Sequence, residues 1–206
     1  MRNWLSVSSF VVLSLCSSLA ASGAAGGEPD LSNPKAAARA FAAAVHDGHK
    51  ELAHQCVTGD EQQMKVVDLL VGIFNARQRI TDAAVGKWGE EGRSIVQPMQ
   101  QWDLKNIDEA QESVDGDAAT LTPREGAGRA IKLKKIADQW KVDLTSLQPR
   151  PEDLQTLSIL NRVMEEVAGE IKDGKYASMA DARKAMVMKF RDAKLASSTS
   201  KPATGE

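Results

Sequence analysis

Apolar positions along this chain keep two different periods, and the switch between them divides it into three parts. From Pro34 to about Trp88 they recur three and four residues apart, the spacing of one helix face. From Ala119 to Leu144 they alternate with polar residues, the spacing of strands with one covered face. Beyond Pro151 the helical period returns. Asn33-Pro34 supplies an N-cap followed by proline at the first helical position, and Ala37, Phe41, Ala44 and Val45 then share a face up to Asp47-Gly48. A second short helix is expected from Lys50 to Cys56. Thr58 and Glu61 have capping-box spacing ahead of a long helix with Met64, Val67, Leu70, Val71, Phe74, Ala84 and Trp88 on one stripe. Gln62, Lys65, Asp68, Asn75 and Arg79 fall on its outer face, and Gly86, Gly89 and Gly92 should end it.

From Trp102 the spacing is mixed. Leu104, Ile107, Ala110 and Val114 are read as a strand with a bulge, followed by a tight turn at Asp115-Gly116. Ala119 and Leu121 define the next strand, Pro123 to Gly128 a loop, and Ile131 and Leu133 a third strand. Ala137-Asp138-Gln139 turns the chain into Trp140, Val142 and Leu144. The prediction is therefore α+β: N-terminal helices packed on a curved four-stranded antiparallel sheet, followed by a C-terminal αα-hairpin. In that hairpin Leu154, Leu157, Leu160, Met164, Val167 and Ile171 form a coiled-coil-like seam. Ser178 and Asp181 restart a helix with Met179, Ala182, Met186, Phe190 and Ala193 on its buried face. An intramolecular hairpin closes the seam in one reading, and a homodimer through 154–171 closes it in the other.

The first residues change the picture of where the protein acts. Arg2, the apolar run from Leu5 to Leu19 and the small residues Ala20 to Ala24 have the order of a signal peptide, too short and serine-rich for a membrane span. The expectation is export, to a periplasmic or extracellular location, with no transmembrane span after processing. Lipid anchoring at Cys16 is the alternative, because Leu13-Ser14-Leu15-Cys16 partly matches a lipobox. Without that leader Cys56 stands alone and no intramolecular disulfide can form. The chain thus reads as a signal peptide over 1–24, a flexible linker over 25–33, an α+β domain over 34–148, a helical hairpin over 151–195 and a disordered tail over 196–206.

Composition excludes some functions. A net charge of −2 argues against nucleic acid as a partner and gives no polybasic case for membrane attachment. The aromatic share of 4% makes the core aliphatic and alanine-rich. His46, His49 and His54 cluster early, but three or four ligands in defined geometry are missing, so they read as solvated helix-end residues and no metal or cofactor is expected. His54 and Cys56, two apart, do not face each other on a helix, and Cys56 reads as a small buried hydrophobe. Lys132, Lys134, Lys135 and Lys141 read as solvated lysines guarding a sheet edge, or else as the seat of an acidic partner. Gly126 and Gly128 precede a strand, the wrong context for a phosphate loop.

The sequence resembles the nuclear transport factor 2-like superfamily, in particular its small exported bacterial members. The resemblance rests on Pro34-Lys35-Ala36-Ala37-Ala38-Arg39-Ala40-Phe41 with Asp47-Gly48, on Val114-Asp115-Gly116-Asp117-Ala118-Ala119-Thr120-Leu121, and on Gln139-Trp140-Lys141-Val142-Asp143-Leu144. It spans Pro34 to Leu147 and implies a cone of helices wrapped by a curved sheet. Many members place two short strands before the long helix, for which Val57-Thr58-Gly59 leaves no room, and the C-terminal hairpin is an addition to the pattern. Enzymes of this kind use an acid or base inside the cone. The only tyrosine, Tyr176, lies outside the predicted cone, which counts against isomerase chemistry. The function expected is an exported, non-enzymatic binding or scaffold protein for an unknown small ligand or protein partner, with Phe41, Leu70, Phe74 and Trp140 lining any cavity. The alternatives are an isomerase, cyclase or dehydratase with an acidic residue in the cone, and an envelope assembly factor acting through the C-terminal helices.

Overall fold

The computed structural model describes residues 28–96, 104–124 and 130–199; the expected signal peptide with Cys16, Gly126 and Gly128, and the last residues of the predicted tail lie outside them. Helix α1, Pro34–His46, starts where the sequence indicated, with Asn33 Oδ1 accepting from the Ala36 amide at 2.9 Å. It buries Ala37, Phe41, Ala44 and Val45 together with Ala38 and Ala42. Gly48 has a φ of +77°, and a Cβ there would meet the Asn75 side chain, so the Asp47-Gly48 turn accepts only glycine. Helix α2 follows at Lys50–Gln55.

Val57–Thr58 then forms a single two-residue strand, β1, where the sequence left no room for the two short strands of the resembling family. Helix α3, Glu61–Trp88, is capped two residues later than the Thr58–Glu61 spacing suggested, because Thr58 is already committed to β1. Asp60 is the N-cap: its Oδ1 accepts from the Gln63 amide, and Gln63 Oε1 accepts from the Asp60 amide, both at 2.8 Å. Gly89, at φ +69°, ends α3, and a 3₁₀ helix continues over Gly89–Ile95.

The segment read as a bulged strand is a helix and a strand. Helix α4 is Leu104–Glu109 and β2 is Gln111–Asp115. Leu104 and Ile107 have helical spacing, and Asp108 is held against α1, where its backbone oxygen accepts from Lys35 Nζ at 2.9 Å and its carboxylate pairs with Arg39. Strands β3 (Ala118–Thr122), β4 (Ile131–Ile136) and β5 (Gln139–Asp143) complete an antiparallel run with β2. The sheet has five strands and is mixed, in the order β1-β5-β4-β3-β2, because β1 adds to β5 in parallel. The Val142 and Leu144 amides donate to the Cys56 and Thr58 carbonyls, and the Trp140 amide donates to Leu31, all at 2.9 Å. The closing strand is therefore interior. The exposed edge is β2, with Val114 in solvent.

Trp140, Val142 and Leu144 are buried, as their alternation predicted, together with Ala119, Leu121 and Leu133. They meet α1 and the first half of α3 in one apolar cluster. A second cluster joins Ile73, Ala76, Ile80 and Ala84 of α3 to two more helices, α5 (Pro151–Lys172) and α6 (Met179–Thr199). Val163, Met164, Val167 and Ile171 of the predicted seam are buried there, with Leu157 and Leu160 partly so. Helix α5 runs along α3, held also by Arg79 Nη1 to Glu165 Oε2 at 2.8 Å. The close approach needs Gly72, where a Cβ would lie 2.6 Å from Asn161 Nδ2 of α5. Ser178 Oγ accepts from the Asp181 amide as expected, but α6 continues through Thr199, beyond the predicted start of the tail. Among the described residues no helix is long and apolar enough to cross a membrane.

Candidate functional site

The residues expected to line a cavity come together in the sheet-side cluster. Phe41 is 2% exposed, Trp140 7% and Phe74 9%, and Leu70 packs partly buried beside them. Each is delivered by its element's period: Phe41 from the buried face of α1, Leu70 and Phe74 from α3, Trp140 from the inward side of β5. The only buried polar side chain among the described residues is Gln63, and it is fully employed. Besides the capping box, its Nε2 donates to the Leu147 carbonyl at 2.9 Å, tying the start of α3 to the chain beyond β5. Cys56 is a buried free cysteine at the end of α2, and burial raises its pKa to about 11, with Lys141 opposing the rise. It is a thiol at neutral pH, the wrong state for a nucleophile.

The histidines separate. His54 Nε2 lies 2.7 Å from Asp68 Oδ1, and Lys50 Nζ lies 3.0 Å from Asp68 Oδ2, so one turn of α2 clasps α3 through a single carboxylate. His46 Nδ1 is 3.0 Å from Asp47 Oδ1, and its ring lies against Phe74. Among the described residues no group of three or more His, Cys, Asp or Glu side chains is placed to hold a metal ion. The His54–Asp68 pair resembles the orienting half of a catalytic dyad, but the nearby Cys56 is buried and protonated, so the pair acts as a clasp. Asp68 escaped the sequence reading because it fell on the outer face of α3. The spacing of Lys50 and His54, one turn apart on α2, was the usable signal.

The lysines are placed differently from the expectation. β4 lies between β5 and β3, so Lys132 and Lys134 are on the outer face of an interior strand, with Lys134 directly opposite Lys141. Lys135 points the other way and pairs with Asp138 at 3.2 Å. They guard no edge: β4 lies between β3 and β5 even without β1, and only for Lys141 on β5 does the added β1 decide this. Tyr176 lies in the α5–α6 connection, where its hydroxyl donates to Glu170. Lys189 bridges Glu170 and Glu166, which locks the two helices at that corner.

One further surface stands out. Val187, Met188 and Leu195 of α6 are 69%, 43% and 58% exposed, on the side opposite the buried Ala182. A hollow of about 400 Å³ beside them is lined by Phe190, Arg191, Lys194 and Leu195. The chain matches no family model, no curated protein and no solved structure.

Proposed function

We propose that this protein is an exported α+β module of the binding or scaffold type, resembling the nuclear transport factor 2-like superfamily over 34–148, and that it meets its partner through its surface. The observation that carries this reading is the packing of Phe41, Phe74 and Trp140 where an enzyme of that superfamily would need an open polar interior. The buried Gln63 is satisfied by backbone and offers no acid or base there. Tyr176 is engaged with Glu170 outside that interior, which weighs against an isomerase, cyclase or dehydratase. Export is supported by the order of charged, apolar and small residues before Ala25.

The test is a methyl-labelled NMR titration with a panel of small apolar and aromatic compounds, observing Leu70, Val71, Leu121 and Leu133. The expected result is no saturable shift of these methyls. Saturable shifts confined to them would show an interior site and return the enzyme reading to first place. A reporter fused after residue 33 tests export: activity outside the cytoplasm is expected, and retention inside would remove that part of the proposal. A second reading, an envelope assembly factor working through the C-terminal helices, is favoured by the exposed apolar side chains of α6.

A further inference from the structure

The outer side of α6 carries two kinds of side chain and lacks a third. By helical spacing Lys184, Val187, Met188, Arg191, Lys194 and Leu195 fall on one face. Three are apolar and substantially exposed, three are cationic, and no carboxylate falls among them; Asp181 and Asp192 lie to one side, where Asp192 reaches Arg191 at 3.0 Å. The other cations of the helix are turned inward. Arg183 donates to the carbonyls of Ser94 and Ile95, and Lys189 bridges Glu166 and Glu170. Cations needed for the fold are thus neutralised, whereas Lys184 and Lys194 have no ion-pair partner among the described residues.

We infer that this face of α6 docks on a bilayer of anionic phospholipid, lying in the plane of the headgroups. Three observations select this occupant. The cations ask for an anionic surface, and the apolar side chains between them ask for one with an apolar layer beneath it. Phe190, Arg191, Lys194 and Leu195 line an open depression on this side of the helix, so apolar and cationic side chains lie next to one another there. The lining of that depression comes from α6 alone, and a peptide helix would need a groove between two elements. A second copy would bring no opposite charge to this face, since no carboxylate lies among Lys184, Arg191 and Lys194. This docking does not depend on what the sheet-side interior holds.

The experiment is vesicle co-sedimentation of the full chain, with phosphatidylcholine alone and with phosphatidylcholine containing phosphatidylglycerol. The comparison uses the wild type, a Lys184→Glu/Arg191→Glu/Lys194→Glu variant and a Val187→Ser/Leu195→Ser variant. The apolar leader is common to all three, so differences report on α6. The wild type should pellet more strongly with anionic than with neutral vesicles, and high salt should remove that excess. Charge reversal should weaken partitioning by roughly a hundredfold or more, the product of three basic side chains near an anionic leaflet. The serine variant should weaken it by about tenfold or more. Circular dichroism and thermal melts of the variants should match the wild type, because the changed side chains are on the exposed side. Equal binding to neutral vesicles, binding unaffected by charge reversal, or no binding at all would overturn the inference. So would a wild-type dimer in solution that the variants convert to monomer, which would assign the face to a second copy.

Discussion

Replacing Phe41 by alanine distinguishes a packed interior from a ligand chamber by energy alone. Phe41 is 2% exposed, comes from the middle of α1 and packs in the sheet-side cluster with Phe74 and Trp140. Removing its ring forfeits the transfer free energy of the lost carbons and leaves a void that a helix pinned at Asn33 and Gly48 cannot collapse. In well-packed cores this exchange costs about 3–5 kcal/mol. For a domain of this size each kcal/mol lowers Tm by about 2–4 °C, so a fall of roughly 10 °C is expected. Urea unfolding followed by circular dichroism gives the free energy, and the slope against urea should stay unchanged because the exposed surface of both states is nearly the same. A phenyl ring standing at the wall of a pre-existing hollow has fewer contacts to lose. A cost below about 1.5 kcal/mol would therefore refute the packed interior. Ile80→Ala, in the other cluster, serves as a reference buried truncation in the same chain.

Asp60→Ala removes the N-cap of α3 and half of its capping box and should cost about 1 kcal/mol by urea unfolding; no change would mean that Gln63 alone holds the turn. Ala137 and Asp138 occupy left-handed backbone at φ 49° and 65°, so Ala137→Asn/Asp138→Gly should raise stability by about 0.5–1 kcal/mol, and a loss would show that the β4–β5 turn has another geometry. The Glu170 carboxyl is held below its ordinary range, first by the Tyr176 hydroxyl that donates to it and then by Lys189 and Lys175. The unfolded chain binds that proton more readily, so the stabilisation is complete above the unfolded carboxylate range and disappears as pH falls through the folded value. Tyr176→Phe should accordingly reduce stability most at neutral pH, with the two curves converging in acid; a gap independent of pH would contradict this linkage.

Features set by near neighbours were legible in the sequence. Asn33-Pro34, Asp47-Gly48, Asp115-Gly116 and the Trp140–Leu144 alternation each carry their cause within a few residues, and each is where it was expected. Features set by distant partners were not. β1 has two residues and no period of its own, and it becomes a strand because β5 offers amides to Cys56 and Thr58. Its formation moves the cap of α3 to Asp60 and turns β5 into an interior strand. The seam of α5 was legible as apolar, but its partner was not, because spacing reports a face and leaves open what covers it. Inward placement of Phe41, Phe74 and Trp140 followed from period alone. The His54–Asp68 clasp required knowing that α2 folds back on α3.

The parallel pairing of β1 with β5 also has a temporal consequence. Val57 meets Val142, and Ile73 shares a cluster with Val163, so both halves of the molecule wait for segments made much later. Closing such long loops costs entropy before any contact repays it, which slows folding. A nascent chain ending before residue 139 can form α1 and α3 as fluctuating helices but cannot shut either cluster. The protein should therefore stay pliable until its last third has appeared.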